Sequence, residues 1–155
     1  MKIEKRWVVS FVIISIAAIS GLFWTPTEAT ETGPFNSADT IVTADVAWLL
    51  TSSCLVLLMT PGLSFFYGGM VGKKNVISTM LQSFICLGVV TLLWVIVGFS
   101  LAFGDSIGLT INGTHYGIIG NPTQFAFFDQ VGSLPHQKMA STIPFILFAL
   151  FQMKF

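Results

Sequence analysis

The sequence predicts an all-α, polytopic helical membrane protein, and three observations carry that prediction. Only 9% of its 155 residues are charged, 54% are hydrophobic, and the mean hydropathy is +0.82, whereas a soluble domain carries roughly 25% charged residues. Two apolar runs, residues 46–70 and 76–103, are each long enough to cross about 30 Å of hydrocarbon. Between them lies a short turn holding Lys73 and Lys74. So few charges cannot supply the polar surface that water demands, and the partner specified by composition is the lipid bilayer. Net charge is zero, which gives nucleic acid or a bulk electrostatic partner no footing.

Residues 1–29 read as a signal peptide. Lys2, Lys5 and Arg6 form a basic start, an apolar stretch runs from about Trp7 to Trp24, and Pro26 ends it. Thr27-Glu28-Ala29 sets small residues at the two positions a signal peptidase inspects, so cleavage is expected after Ala29. The apolar stretch is long for a signal, and an uncleaved anchor helix is the competing reading. Residues 30–45 form an outer lead-in with Gly33-Pro34 and Asn36-Ser37 as turn signals. Asp39 and Asp45 are expected to cap the following helix, where carboxylates meet orphan N–H groups and the positive dipole end.

The first span, 46–70, places Trp48 and Tyr67 near its ends, as interfacial aromatic belts require. Pro61 removes a backbone donor, so a kink is expected there, with Thr60 or neighbouring helices re-satisfying the freed carbonyl. Gly68 and Gly72 stand at GxxxG spacing, widened by Gly69, for close backbone approach. The turn 71–75 is cytoplasmic by the positive-inside rule. A cleaved signal leaves the mature N-terminus outside, in agreement.

The second span, 76–103, contains Gln82 and Ser83 as its few polar members, followed by Trp94, Gly98 and Ser100. Gln82 is expected to hydrogen-bond a neighbouring helix. Cys54 and Cys86 lie within the two spans. Counted from the turn, at about 1.5 Å per residue, their depths differ by roughly 7 Å, so both are expected as free, buried thiols.

Residues 104–140 form an outer loop with turn signals at Asn112-Gly113 and Asn121-Pro122. Asn112-Gly113-Thr114 fits the N-glycosylation pattern. His115 and His136 have no Cys, Asp or Glu at ligand spacing, so no metal site is assigned and both are expected as solvated loop histidines. Gln124 to Phe128, with three phenylalanines, is expected to dip to the membrane surface.

The final run, 141–155, opens at Ser141-Thr142, where a hydroxyl can cap, with Pro144 in the first turn. Its apolar part covers about 14 residues, or about 20 Å, short of the ~20 residues that a span needs. If it inserted, the terminal carboxylate beside Lys154 would lie in hydrocarbon at a cost of several kcal/mol. An incomplete third transmembrane helix, and a chain that is an N-terminal fragment, are therefore expected.

The block Ala44-Asp45-Val46-Ala47-Trp48-Leu49-Leu50 with Leu55 to Val76, centred on Thr60-Pro61-Gly62 and Phe66-Tyr67-Gly68-Gly69, resembles the opening of ammonium transporters of the Amt/Mep/Rh family. Leu92 to Gly104 and Phe148 to Phe155 extend the resemblance over about residues 39–155. It implies an eleven-helix fold with the N-terminus outside, a homotrimer, and a narrow pore through each subunit. The substrate it implies is ammonium or ammonia, carried across the cell membrane without a cofactor. The family's F-Q-x-x-F pattern on the third helix is matched by Phe151-Gln152-Met153-Lys154-Phe155. The resemblance thereby implies Phe151 and Phe155 as the pore gate.

Four residues apart, those two rings share a helical face, and an aromatic face holds a cation by roughly 1–2 kcal/mol. Lys154 stands where the family pattern is uncharged, and an interrupted or shifted reading frame is the alternative origin of Lys154 and Phe155. The pore histidines and buried aspartate that the resemblance implies belong to later helices, and His115 and His136 do not correspond to them. No paired carboxylates or nucleophile–base set falls in the spans, so catalytic residues are none and an enzyme is not expected. Transport is expected of a parent protein, with this chain inactive alone. The alternative is a small membrane-embedded structural or interaction subunit, or a pseudogene remnant, without transport activity.

Overall fold

The computed structural model describes residues 5–31, 33–111 and 114–155. Lys2 and the Asn112-Gly113 turn, with the glycosylation pattern it opens, lie outside the described residues, as do the side chains of Lys5, Arg6, Trp7 and His115. The described chain is mostly helical. It runs through α1 (Lys5–Leu22), a 3₁₀ turn (Ala38–Thr40), α2 (Thr43–Met70), α3 (Val76–Leu93), a π turn (Trp94–Gly98) and α4 (Phe99–Phe103). Strands β1 (Ser106–Ile111) and β2 (Thr114–Gly120), a second 3₁₀ turn (Ala126–Phe128) and α5 (Phe145–Met153) follow.

Among the described residues two helices are apolar and long enough to cross a membrane. They are α2 and the continuous helix Val76–Phe103, each of 28 residues, or about 42 Å at 1.5 Å per residue. Their large apolar side chains are uncovered, with Trp48 75%, Phe65 67% and Ile77 81% exposed. A core helix of a soluble protein buries such residues, so these faces demand lipid or further helices. Trp48 and Tyr67 are both exposed near the ends of α2, as belt residues would be. Pro61 lies inside α2, which continues through it.

The chain divides into two compact units. The first comprises Met1–Thr27 and Leu92–Gln130. Here the second span changes pitch, because the Phe99 amide donates to the Trp94 carbonyl five residues back. Trp94 then meets Phe99 edge-on, with ring centroids 5.8 Å apart. Strands β1 and β2 pair antiparallel from Ser106↔Gly120 to Ile111↔Thr114, with an irregularity between Ile107 and Gly108. This hairpin departs from the all-α expectation for residues 104–140. Its β-branched residues flanking an Asn-Gly pair are a hairpin signal that was read as a turn alone.

Buried Phe99 anchors this unit, packing against Phe125 at 5.8 Å and Phe128 at 5.6 Å. Fully buried Ser100 ties the same region, its hydroxyl donating to the Asn121 carbonyl at 2.6 Å and accepting from the Phe125 amide at 2.9 Å. Within Gln124–Phe128, the segment expected to dip to the membrane surface, one ring turns inward. Phe125 is 1% exposed, because its ring completes an internal aromatic cluster.

The second unit comprises Glu28–Thr91 and Val131–Phe155. Helices α2 and α3 approach at Ser64 and Gly68, four residues apart on one face of α2. The Ser64 hydroxyl, fully buried, donates to the Met80 carbonyl at 3.1 Å. A Cβ on Gly68 would lie 3.0 Å from Met80 Cγ, while one on Gly69 or Gly72 would meet nothing within 4 Å. The close contact is thus Ser64-x-x-x-Gly68, one turn earlier than the expected Gly68–Gly72 pair.

Capping also differs from expectation. Val42 precedes α2 without a side-chain cap bond, so neither Asp39 nor Asp45 caps it. Asp45 instead accepts from the Thr142 hydroxyl at 2.6 Å, and α5 starts after Pro144 with no side-chain cap bond. Cys54 and Cys86 are free, as expected, but exposed rather than buried, Cys86 opening into a groove between helices.

Candidate functional site

The site is built within the second unit from the α2–α3 pair and the end of α5. Helix α5 starts at Phe145, directly after Pro144, whose missing N–H and fixed φ suit a helix start. Its first amides find partners in the preceding loop rather than in a side-chain cap. The Phe145 amide donates to the Leu134 carbonyl at 3.3 Å, and the Ile146 amide to the Gly132 carbonyl at 3.0 Å.

Beneath that start, His136 is 5% exposed. Its ring stacks on Phe145 at 4.9 Å and takes Phe35 edge-on at 5.4 Å. The expectation of a solvated His136 is corrected: the apolar bodies of two phenylalanines and an adjoining buried Pro135 enclose it. These contacts clamp the lead-in residue Phe35 to the base of α5, so the direction of α5 is set at its first turn.

From that base α5 packs along α2, and its nine residues advance about 13 Å. Phe151 is half-buried near its end. Lys154 closes the helix, its amide donating to the Phe151 carbonyl at 3.0 Å, and Phe155 follows, 76% exposed. The Phe151 and Phe155 rings touch edge-to-face, with centroids 5.1 Å apart and planes at 77°, a favourable aromatic geometry. Four-residue spacing predicted this shared face, and the two rings do meet.

Met153, Lys154 and Phe155, but not Phe151, join residues of α2 between Met59 and Tyr67 and of α3 between Thr79 and Val90 in lining a groove of about 580 Å³. Its walls are mainly apolar. Thr60, Tyr67, Thr79, Gln82 and Ser83 supply hydroxyls and one amide. Gln82 is exposed to this groove, where the sequence pointed to a helix–helix hydrogen bond. Lys154 is the single charged side chain among the lining residues. Among the described residues no group of three or more His, Cys, Asp or Glu is placed to hold a metal. Such a surface can shelter apolar or weakly polar species and offer aromatic faces to a small cation.

Sequence reasoning missed Ser64, Met80 and the burial of His136. A signal for the first was present in the four-residue spacing of Thr60, Ser64, Gly68 and Gly72, which marks a small-residue stripe but not which part of it is in contact.

A sequence model of the Ammonium Transporter Family matches residues 47–155. The chain is 42% identical over 124 residues to a protein of Mycobacterium bovis named ammonium transporter, the match covering 72% of this chain and 24% of that protein. It is 38% identical over 114 residues to an ammonium transporter of Aquifex aeolicus, covering 73% and 24% of the two chains. With an ammonium transporter of Bacillus subtilis it shares 42% identity over 113 residues, covering 72% and 25%. The chain spans about a quarter of the length of these relatives.

Proposed function

The chain belongs to the ammonium transporter family, and from that premise we propose that it takes part in moving ammonium or ammonia across the cell membrane as the opening portion of an eleven-helix transporter. The observation that carries this reading is the family match through residue 155 together with the contact between the Phe151 and Phe155 rings, of which Phe155 lines an apolar groove. In the proposal those rings line the outer mouth of the path. They admit a cation by its attraction to aromatic faces and exclude bulk water, so the species that passes is stripped of its shell. The chain does no covalent chemistry.

The orientation that fits is Lys73-Lys74 in the cytoplasm and the start of α2 outside. Two spans with the shorter helices α1 and α5 do not wall a pore, and their exposed apolar faces call for more helices. Conduction therefore belongs to an assembly with further spans, a homotrimer in keeping with the family resemblance, and these residues alone are inactive. The same exposure favours a second reading, a membrane-embedded interaction subunit that packs on partner helices and transports nothing.

The test is methylammonium uptake in cells lacking their own ammonium transporters. This chain alone is expected at background, and uptake clearly above background overturns its inactivity. A chimera in which residues 47–155 replace the matching part of a full-length relative is expected to transport. In that chimera Phe151→Ala should weaken apparent affinity by about 5- to 30-fold, the equivalent of a cation–π contact of roughly 1–2 kcal/mol. A chimera that reaches the membrane in normal amount yet does not transport favours the interaction subunit.

A further inference from the structure

Helix α1 was expected to leave the protein by cleavage after Ala29. The contacts its C-terminal side makes inside the first unit argue otherwise. Trp24 stacks on Phe127, with ring centroids 5.6 Å apart and planes at 27°. One turn earlier, a Cβ added to Gly21 would lie 3.1 Å from two atoms of the same Phe127 ring. The ring therefore rests against the bare backbone of α1, a contact only glycine permits without rearrangement.

Three residues beyond Trp24, Thr27 is held from both sides. Its amide and its hydroxyl donate to Asp129 Oδ1 at 2.7 and 2.6 Å, and its carbonyl accepts from the Gln130 amide at 3.1 Å. Hydrogen bonds to an ionised carboxylate are the strong kind. The segment they grip is unusual in its own right. Phe127, Phe128 and Gln130 have φ of 53°, 60° and 58°, left-handed backbone that non-glycine residues adopt only where their surroundings over-determine it. The surroundings that do so here include Gly21, Trp24 and Thr27.

We infer that residues 1–29 stay in the mature protein, with α1 docked through Trp24 on Phe127 and Thr27 on Asp129. A signal peptidase reads the small residues at the last and third-last positions before the cut. For cleavage after Ala29 these are Ala29 and Thr27, and Thr27 is the residue whose side chain and backbone Asp129 and Gln130 occupy. Lys2, Lys5 and Arg6 then mark a cytoplasmic start. The 18 residues of α1, about 27 Å long, suit a nearly complete crossing, one that precedes the eleven helices of the proposed transporter and brings the chain outside for the start of α2.

The full chain with a C-terminal tag, purified from bacterial membranes, gives a direct reading by N-terminal sequencing and intact mass. A first residue of Met1 in at least nine chains of ten is expected. A mature chain beginning at Thr30 overturns the inference. Docking is read separately in a C54S/C86S background carrying W24C and F127C, where a short bis-maleimide is expected to join the two positions in most chains. An intact N-terminus without that cross-link overturns the docking. Adding Asp129→Ala removes both bonds to Thr27 and is expected to lower the cross-link yield several-fold, while an unchanged yield overturns the role given to Asp129.

Discussion

The contact of α2 with α3 at Gly68 gives a perturbation whose size follows from the structure. A Cβ at residue 68 would meet Met80 Cγ at 3.0 Å, Met80 Sδ at 3.2 Å and Val76 Cγ1 at 3.6 Å. Gly68→Ala presses only on a flexible thioether side chain that yields. Alanine's helix preference, up to about 1 kcal/mol over glycine, offsets the squeeze, so the net change is expected to be near zero. Gly68→Leu adds three further carbons to a filled site and should cost about 1–3 kcal/mol.

Because the obstruction is the Met80 side chain, Gly68→Leu combined with Met80→Ala should recover at least half of that loss. Ser64→Ala should cost only about 0.6 kcal/mol, a typical interhelical bond in a membrane protein. The Met80 carbonyl lies inside α3 and keeps its ladder partner, the amide four residues on, so no buried acceptor is orphaned. Cys54 on α2 and Cys86 on α3 are free and exposed, and a dye pair on them reports helix separation by energy transfer during titration with sodium dodecyl sulfate. Gly68→Leu matching the parent, or Met80→Ala failing to relieve it, would refute the placement of Met80 against Gly68.

Ser100→Ala should destabilise the first unit by about 2–4 kcal/mol, since the Asn121 carbonyl and Phe125 amide both lose a buried partner at roughly 1–3 kcal/mol each. Amide exchange at Phe125 should accelerate at least tenfold, and unchanged protection would contradict the assignment. Lys73→Cys in a C54S/C86S background should react with a membrane-impermeant maleimide only after the cytoplasmic face is opened. Labelling in intact cells would reverse the orientation.

Much of the architecture was legible because hydropathy is a local property. The expected span 46–70 became α2, Thr43–Met70, and the expected span 76–103 became the helix Val76–Phe103. The lysine turn between them falls where it was expected. The pairing of Phe151 with Phe155 was equally readable, since a four-residue spacing brings two rings together on any helix. Other features resisted reading. The π turn at Trp94–Gly98 lies in a helix apolar on all sides, where a slip in pitch leaves no break in the pattern. Asp45 looked like a cap because its position suits one, yet Thr142, 97 residues away in sequence, claims its carboxylate.

By itself, then, the sequence determined that this is a membrane protein of the ammonium transporter family, where its two long apolar helices lie, and which residues stand on common helical faces. Tertiary structure alone decided which of those faces meet. Ser64 and Gly68, rather than Gly68 and Gly72, face α3, His136 lies between Phe35 and Phe145, and Thr27 sits on Asp129. The physical reason is rotational. A helix that is apolar all round has no preferred inward side in lipid, so its facing is chosen by where two backbones can approach and where buried polar groups find partners.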